Sequence, residues 1–127
     1  MKRDLDLIRK LFFRIEEFPY NIKTDFNYEI IIEGFNKEEI DFHLYLMKQA
    51  NFITGIVQKS VINKRLTVIY ETLEITWKGY EFFNSIRDKN VWSKIKSKVT
   101  DINLPINIIW ELSKIIIKEQ LKIDQIR

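Results

Sequence analysis

Residues 66–87, LTVIYETLEITWKGYEFFNSIR, decide the fold. From Leu66 to Ile75 the run is apolar and β-branched, as a strand requires; it breaks at Thr76, and apolar residues then recur at helical spacing. Thr76 reads as an N-cap whose hydroxyl accepts the otherwise orphaned amide of Lys78 or Gly79. Gly79 has no side chain, so the first turn of the new helix can press against a neighbouring element.

Working outward, residues 52–58 read as the strand that pairs with this one, across a polar loop at 59–65. Upstream, Asn36 and Glu39 form a capping box that opens a helix over 37–50, and Asn51 suits a left-handed C-cap. Residues 28–32 are β-branched enough for a short strand, stopped at Gly34. Leu5, Ile8, Leu11, Phe12 and Ile15 make 4–17 an amphipathic helix that ends before Pro19. Downstream, helices are expected over 77–87, over 91–99 with Trp92, Ile95 and Val99 as packing positions, and from Pro105 to about residue 122. Helix, short strand, helix and two-stranded wing predict an α+β, mainly helical fold: a winged-helix-like module over 1–87 with a C-terminal helical extension over 88–127, packed on it or forming a dimer interface. At 127 residues the whole is expected to be one compact domain.

Composition narrows the setting. With no cysteine, disulfides, thiolate chemistry and zinc ribbons are excluded, and a reducing cytoplasm is the default expectation. Charges at Lys2, Arg3, Asp4 and Asp6 stand where a secretory signal needs apolar residues, and no run reaches the length of a membrane span, so a soluble protein is expected. Residues 1–87 carry 13 basic and 13 acidic side chains and residues 88–127 carry 8 and 5, which leaves the whole net charge of +3 in the extension. A nucleic-acid-binding module normally concentrates cations on its docking face, so a balanced module weighs against that role.

The segments at residues 1–9 (MKRDLDLIR), 43–53 (HLYLMKQANFI) and 75–92, which opens Ile75-Thr76-Trp77-Lys78-Gly79 and closes at Trp92, resemble domain-of-unknown-function family 2513. The resemblance spans most of the chain in order, with Asn51 where the family tends to have Gly and Tyr80 where it tends to have His. It implies a winged-helix-like fold in a phage or prophage setting, and brings no activity or catalytic residues with it.

A helical wheel of 37–50 turns Ile40, His43, Leu44, Met47 and Ala50 inward and Glu38, Asp41, Phe42, Tyr45, Lys48 and Gln49 outward. Glu38, Glu39 and Asp41 would repel a polyanion at the end that normally enters a DNA groove. Glu38, Asp41, Phe42 and Tyr45 are therefore the candidate partner-binding set, aromatic and acidic groups suited to a protein surface. The plain alternative covers Phe42 and Tyr45 with the chain's own terminal segments. Lys59, Lys64 and Arg65 on the wing are candidate nucleic-acid contacts, with further cations at Arg3, Lys10, Arg14, Lys94, Lys96 and Lys98; a solvated lysine-rich surface is the preferred explanation of each cluster taken singly. In the last helix Ile106, Ile109, Trp110, Ile116, Ile117 and Leu121 form one apolar side. Ile108, Leu112 and Ile115 beside it widen the sector beyond one packed face, which predicts a homodimer helix, with a membrane surface as the competing reading.

Enzyme chemistry finds no foothold. His43 is the only histidine and faces inward; Glu16–Glu17 and Glu38–Glu39 diverge around their helices; three glycines are too few for a phosphate loop. No metal or cofactor is expected. Three functions remain: a non-enzymatic phage-type protein that binds a host or defence protein, a dimeric winged-helix DNA-binding regulator, and a phage structural or assembly protein.

Overall fold

Asp4 caps the first helix, α1 (Leu5–Glu16), its carboxylate accepting the Leu7 amide at 3.2 Å, in a computed structural model that describes residues 1–99 and 104–126. The chain divides into two compact units, Met1–Tyr80 and Glu81–Arg127.

In the first unit, α1 buries the expected stripe of Leu5, Ile8, Leu11, Phe12 and Ile15, with Leu7 added, and packs against the next helix, α2 (Lys37–Gln49). The capping box of α2 forms in both directions, Glu39 amide to Asn36 Oδ1 at 2.9 Å and Asn36 amide to Glu39 Oε1 at 3.2 Å. Asn51 ends the helix in the left-handed region at φ 62°, and the Phe52 amide then reaches back to the Met47 carbonyl at 2.9 Å. Phe52 rests on Phe12 with ring centroids 5.8 Å apart, tying the turn to α1.

The chain continues as an antiparallel hairpin of β1 (Ile53–Lys59) and β2 (Leu66–Ile75), with Ile53 opposite Ile75 and Lys59 opposite Leu66. The ladder is irregular at Gly55, which has a φ of +127° and where a Cβ would lie 2.7 Å from the Thr72 carbonyl oxygen, so no larger residue fits. At the end of β2 the Thr76 hydroxyl accepts the Gly79 amide at 2.9 Å and donates to the Asn51 carbonyl at 2.6 Å, so α3 (Trp77–Ile86) starts pinned to the end of α2.

The second unit contains the rest of α3, α4 (Lys89–Lys98) and α5 (Ile106–Ile126). Asp88 caps α4 through the Asn90 and Val91 amides. α4 packs on α5, burying Val91, Trp92, Ile95, Ile109 and Ile116, and Phe82 meets Trp110 edge-on at 5.5 Å. Among the described residues no helix is long and apolar enough to cross a membrane.

The fold is thus α+β and mainly helical, as the sequence predicts, with one departure that matters for function. The short strand expected at 28–32 does not form: among the described residues the sheet has two strands, and 27–32 runs as coil. A cation takes the place of the missing ladder. Arg14 Nη2 donates to the Asn27 carbonyl at 2.5 Å and to the Glu29 carbonyl at 3.1 Å, satisfying acceptors that a neighbouring strand would otherwise have paired. Its guanidinium also lies over Phe18 and Phe26, so Arg14 is spent inside the unit rather than held for phosphate.

A candidate binding groove between α2 and the hairpin loop

The hairpin loop is rigid by construction. The Ser60 amide donates to the Arg65 carbonyl at 2.9 Å, the Lys64 amide donates to the Ser60 carbonyl at 2.9 Å, and Lys64 takes a left-handed φ of 57° to close the turn. This fixes Lys64 and Arg65 against the start of α2. A groove of about 520 Å³ opens there, lined by Glu38, Asp41 and Phe42 from the helix, Lys64, Arg65 and Leu66 from the hairpin, and Met1. Two candidate sets read separately from the sequence therefore share one groove. Tyr45 and Lys59 do not line it; they meet each other instead, the Lys59 ammonium 5.3 Å from the Tyr45 ring centre.

The helical wheel was wrong about several of these side chains. Asp41 is not turned to solvent: it is only 5% exposed, with Oδ2 2.5 Å from Lys37 Nζ and Oδ1 accepting the Tyr70 hydroxyl. Phe42, Tyr45 and Lys48 are half-buried, Phe42 edge-on to the His43 ring and Lys48 donating to the Gly55 carbonyl at 2.7 Å. The cause is the hairpin, which packs along the side of α2 that the wheel left open. Glu38 is exposed as expected, and so are Lys59, Lys64 and Arg65.

Tyr70 was missed by the sequence reading, although strand alternation places it on the face of Leu66 and Val68. Burial, then the hydrogen bond and charge of Asp41, then the charge of Glu29 hold its phenol neutral well above the usual tyrosine range. Since folding raises this value, the stabilisation is whole below the ordinary tyrosine value near 10 and is lost as pH climbs through the raised one. Tyr70→Phe strips Asp41 of a donor and is expected to cost about 1–2 kcal/mol at neutral pH, a gap that narrows in alkali. Urea denaturation at both pH values checks this, and a gap that widens with pH would contradict it.

His43 is buried, with Nε2 accepting the Asp4 amide at 2.8 Å and Nδ1 2.7 Å from the Glu39 carbonyl. Because the Asp4 donor requires a lone pair on Nε2, the proton sits on Nδ1: Nε2 ties the start of α1 to α2, and Nδ1 donates back to the Glu39 carbonyl within α2. Among the described residues no group of His, Asp and Glu is arranged to hold a metal ion. In α5, Ile108 and Ile115 of the expected dimer stripe are about half exposed and Leu112 is partly covered; Leu121, expected on the packed side, is exposed.

An uncharacterized protein of Haemophilus influenzae (strain ATCC 51907 / DSM 11121 / KW20 / Rd) is 27% identical over 126 residues, covering 95% of this chain and 99% of its own. No solved structure matches the chain. Residues 2–104, from before α1 through α4, match the family described as "Hypothetical protein (DUF2513)", and the chain belongs to that family.

Proposed function

We propose that this is a non-enzymatic binding protein that holds another protein in the groove between α2 and the hairpin loop. One observation carries the reading: Glu38 and Phe42 from α2 and Lys64 and Arg65 from the hairpin, far apart in sequence, line a single groove. Its lining mixes charges of both signs with the apolar side chains of Met1, Phe42 and Leu66, the combination of groups that protein interfaces use. Among the described residues no carboxylate lies within ion-pair distance of Lys64 or Arg65, so both cations are available to a partner. In the mobile-element setting that the family resemblance implies, a host or defence protein in the cytoplasm is the natural partner class. The DNA-regulator reading draws on the same hairpin cations, but Glu38 in the groove opposes a phosphate backbone.

The test reverses the groove's charges with Glu38→Arg and Arg65→Glu, both on exposed side chains. Nuclease-treated host lysate is passed over the wild type and the double variant, and a duplex titration at low salt runs in parallel. The expected result is a protein retained by the wild type and lost by the variant. Capture that ignores the reversal, or that disappears on nuclease treatment in favour of salt-sensitive duplex binding, rejects the proposal.

A further inference from the structure

We propose that the hairpin tip, Val61 and Ile62, docks into the cleft beside β2 of a second copy of this chain, giving a reciprocal dimer. The loop expected to be polar carries at its end two aliphatic side chains that are each 97% exposed. The hydrogen bonds between Ser60, Lys64 and Arg65 close the turn beneath them. Residues 59–65 contain three cations, Lys59, Lys64 and Arg65, and no acid. The tip is thus an apolar plug ringed by positive charge.

A matching socket lies on the same unit. The coil at 26–31, the start of α2 and the middle of β2 enclose a cleft of about 580 Å³. Half-buried Phe26 and Phe35 offer its apolar surface over a buried floor of Tyr28, Ile30 and Ile40, and Ile31 at its edge is 74% exposed. Glu29 and Glu71 supply its free charges, both exposed, while the Lys37 ammonium that also borders it is held by Asp41. The cleft thus offers apolar surface and two exposed carboxylates to a tip that is apolar and cationic, while the cations near it are engaged, Lys37 by Asp41, Arg14 by the Asn27 and Glu29 carbonyls and Lys10 over the Phe35 ring.

The chain cannot fill its own cleft. Leu66 begins β2 and Tyr70 lines the socket, and four residues of strand separate them by about 13 Å, with the loop locked in line with the hairpin. A second copy can supply the plug, and a two-fold arrangement uses both plugs and both sockets at once. Phosphates would satisfy the cations but leave Val61 and Ile62 without an apolar partner. A bilayer would take the tip but leave the cleft and Ile31 open. A second copy covers all of them in one arrangement, Lys64 and Arg65 of each tip facing Glu29 and Glu71 of the other copy.

Sedimentation velocity over a concentration series tests the proposal on the intact chain. The wild type is expected to dimerise, and Val61→Ser with Ile62→Ser to weaken the dimer roughly 100-fold or more, with an unchanged circular dichroism spectrum because both side chains are solvent-exposed. Glu29→Lys with Glu71→Lys alone, and Lys64→Glu with Arg65→Glu alone, are each expected to be monomeric, and an equimolar mixture of the two to recover a dimer. A wild type that stays monomeric at every concentration overturns the proposal. So does a dimer indifferent to these changes, one lost instead on Ile108→Ser with Ile115→Ser, or a monomer whose tip residues are needed for anionic vesicles or duplex DNA. Because Arg65 belongs to both surfaces, Glu38→Arg alone, which is in the groove and not at the tip, is expected to leave the dimer intact, and a dimer lost on that change overturns the proposal.

Discussion

Gly79→Ala is expected to lower stability by about 3 kcal/mol or more, since of the three glycines it is the one where an added methyl meets backbone most closely. A Cβ built at that position lies 2.1 Å from the Phe52 carbonyl oxygen and 2.9 Å from a methyl of Ile75. Neither neighbour can yield cheaply. The Phe52 carbonyl accepts the Thr76 amide at 3.0 Å, and the Thr76 hydroxyl holds both the Gly79 amide and the Asn51 carbonyl, so moving α3 away breaks the joint that fixes α2, the hairpin and α3 together. Helix propensity makes the experiment decisive, because glycine to alanine inside a helix is otherwise favourable by up to about 1 kcal/mol. Urea denaturation reads the sign directly: an unchanged or raised midpoint would mean that the close approach is not there. The groove and the cleft are both walled by the hairpin, so binding should fall with the folded fraction.

This joint was legible because its signals are local. A β-branched run, a capping threonine and a glycine three residues later each carry their meaning within one turn of chain, and the same holds for the Asn36–Glu39 box and for Asn51. The candidate site was legible only as a set of names. Glu38, Phe42, Lys64 and Arg65 could be picked from residue type, but their meeting in one groove depends on the hairpin folding back along α2, which no periodicity reports. The same fold-back is why Asp41 was misplaced: a wheel treats one helix in isolation, whereas the Tyr70 hydroxyl that buries Asp41 arrives from 29 residues away. Val61 and Ile62 were overlooked for the opposite reason. The loop at 59–65 reads as polar from its Lys, Ser, Asn and Arg, which hides two aliphatics among them, and only the closing hydrogen bonds place these at the extreme tip.

Arg14→Ala is expected to cost about 3 kcal/mol and to abolish self-association through the cleft. Residues 27–32 have the β-branched composition of a strand yet pair with none, so their carbonyls depend on other donors. One guanidinium supplies two of them, to Asn27 and Glu29, from a side chain only 19% exposed, and charge-assisted bonds in such a setting are worth about 1.5–3 kcal/mol each. It also lies over the rings of Phe18 and Phe26, whose edge contacts with Tyr28 at 5.1 and 4.8 Å carry the constraint into the cleft wall. Lysine does not replace it, since a single ammonium lacks the planar fork that spans the two carbonyls, and Arg14→Lys should recover less than half of the loss. Hydrogen exchange localises the effect: faster exchange confined to residues 26–32, with α2 and the hairpin protected as in the wild type, is the expected pattern. Exchange that is unchanged in this segment would show that the wall stands without Arg14. A wall that loosens while the dimer persists would instead separate Arg14 from the docking cleft, because a socket whose side is free to move loses the preorganisation that a two-residue plug requires.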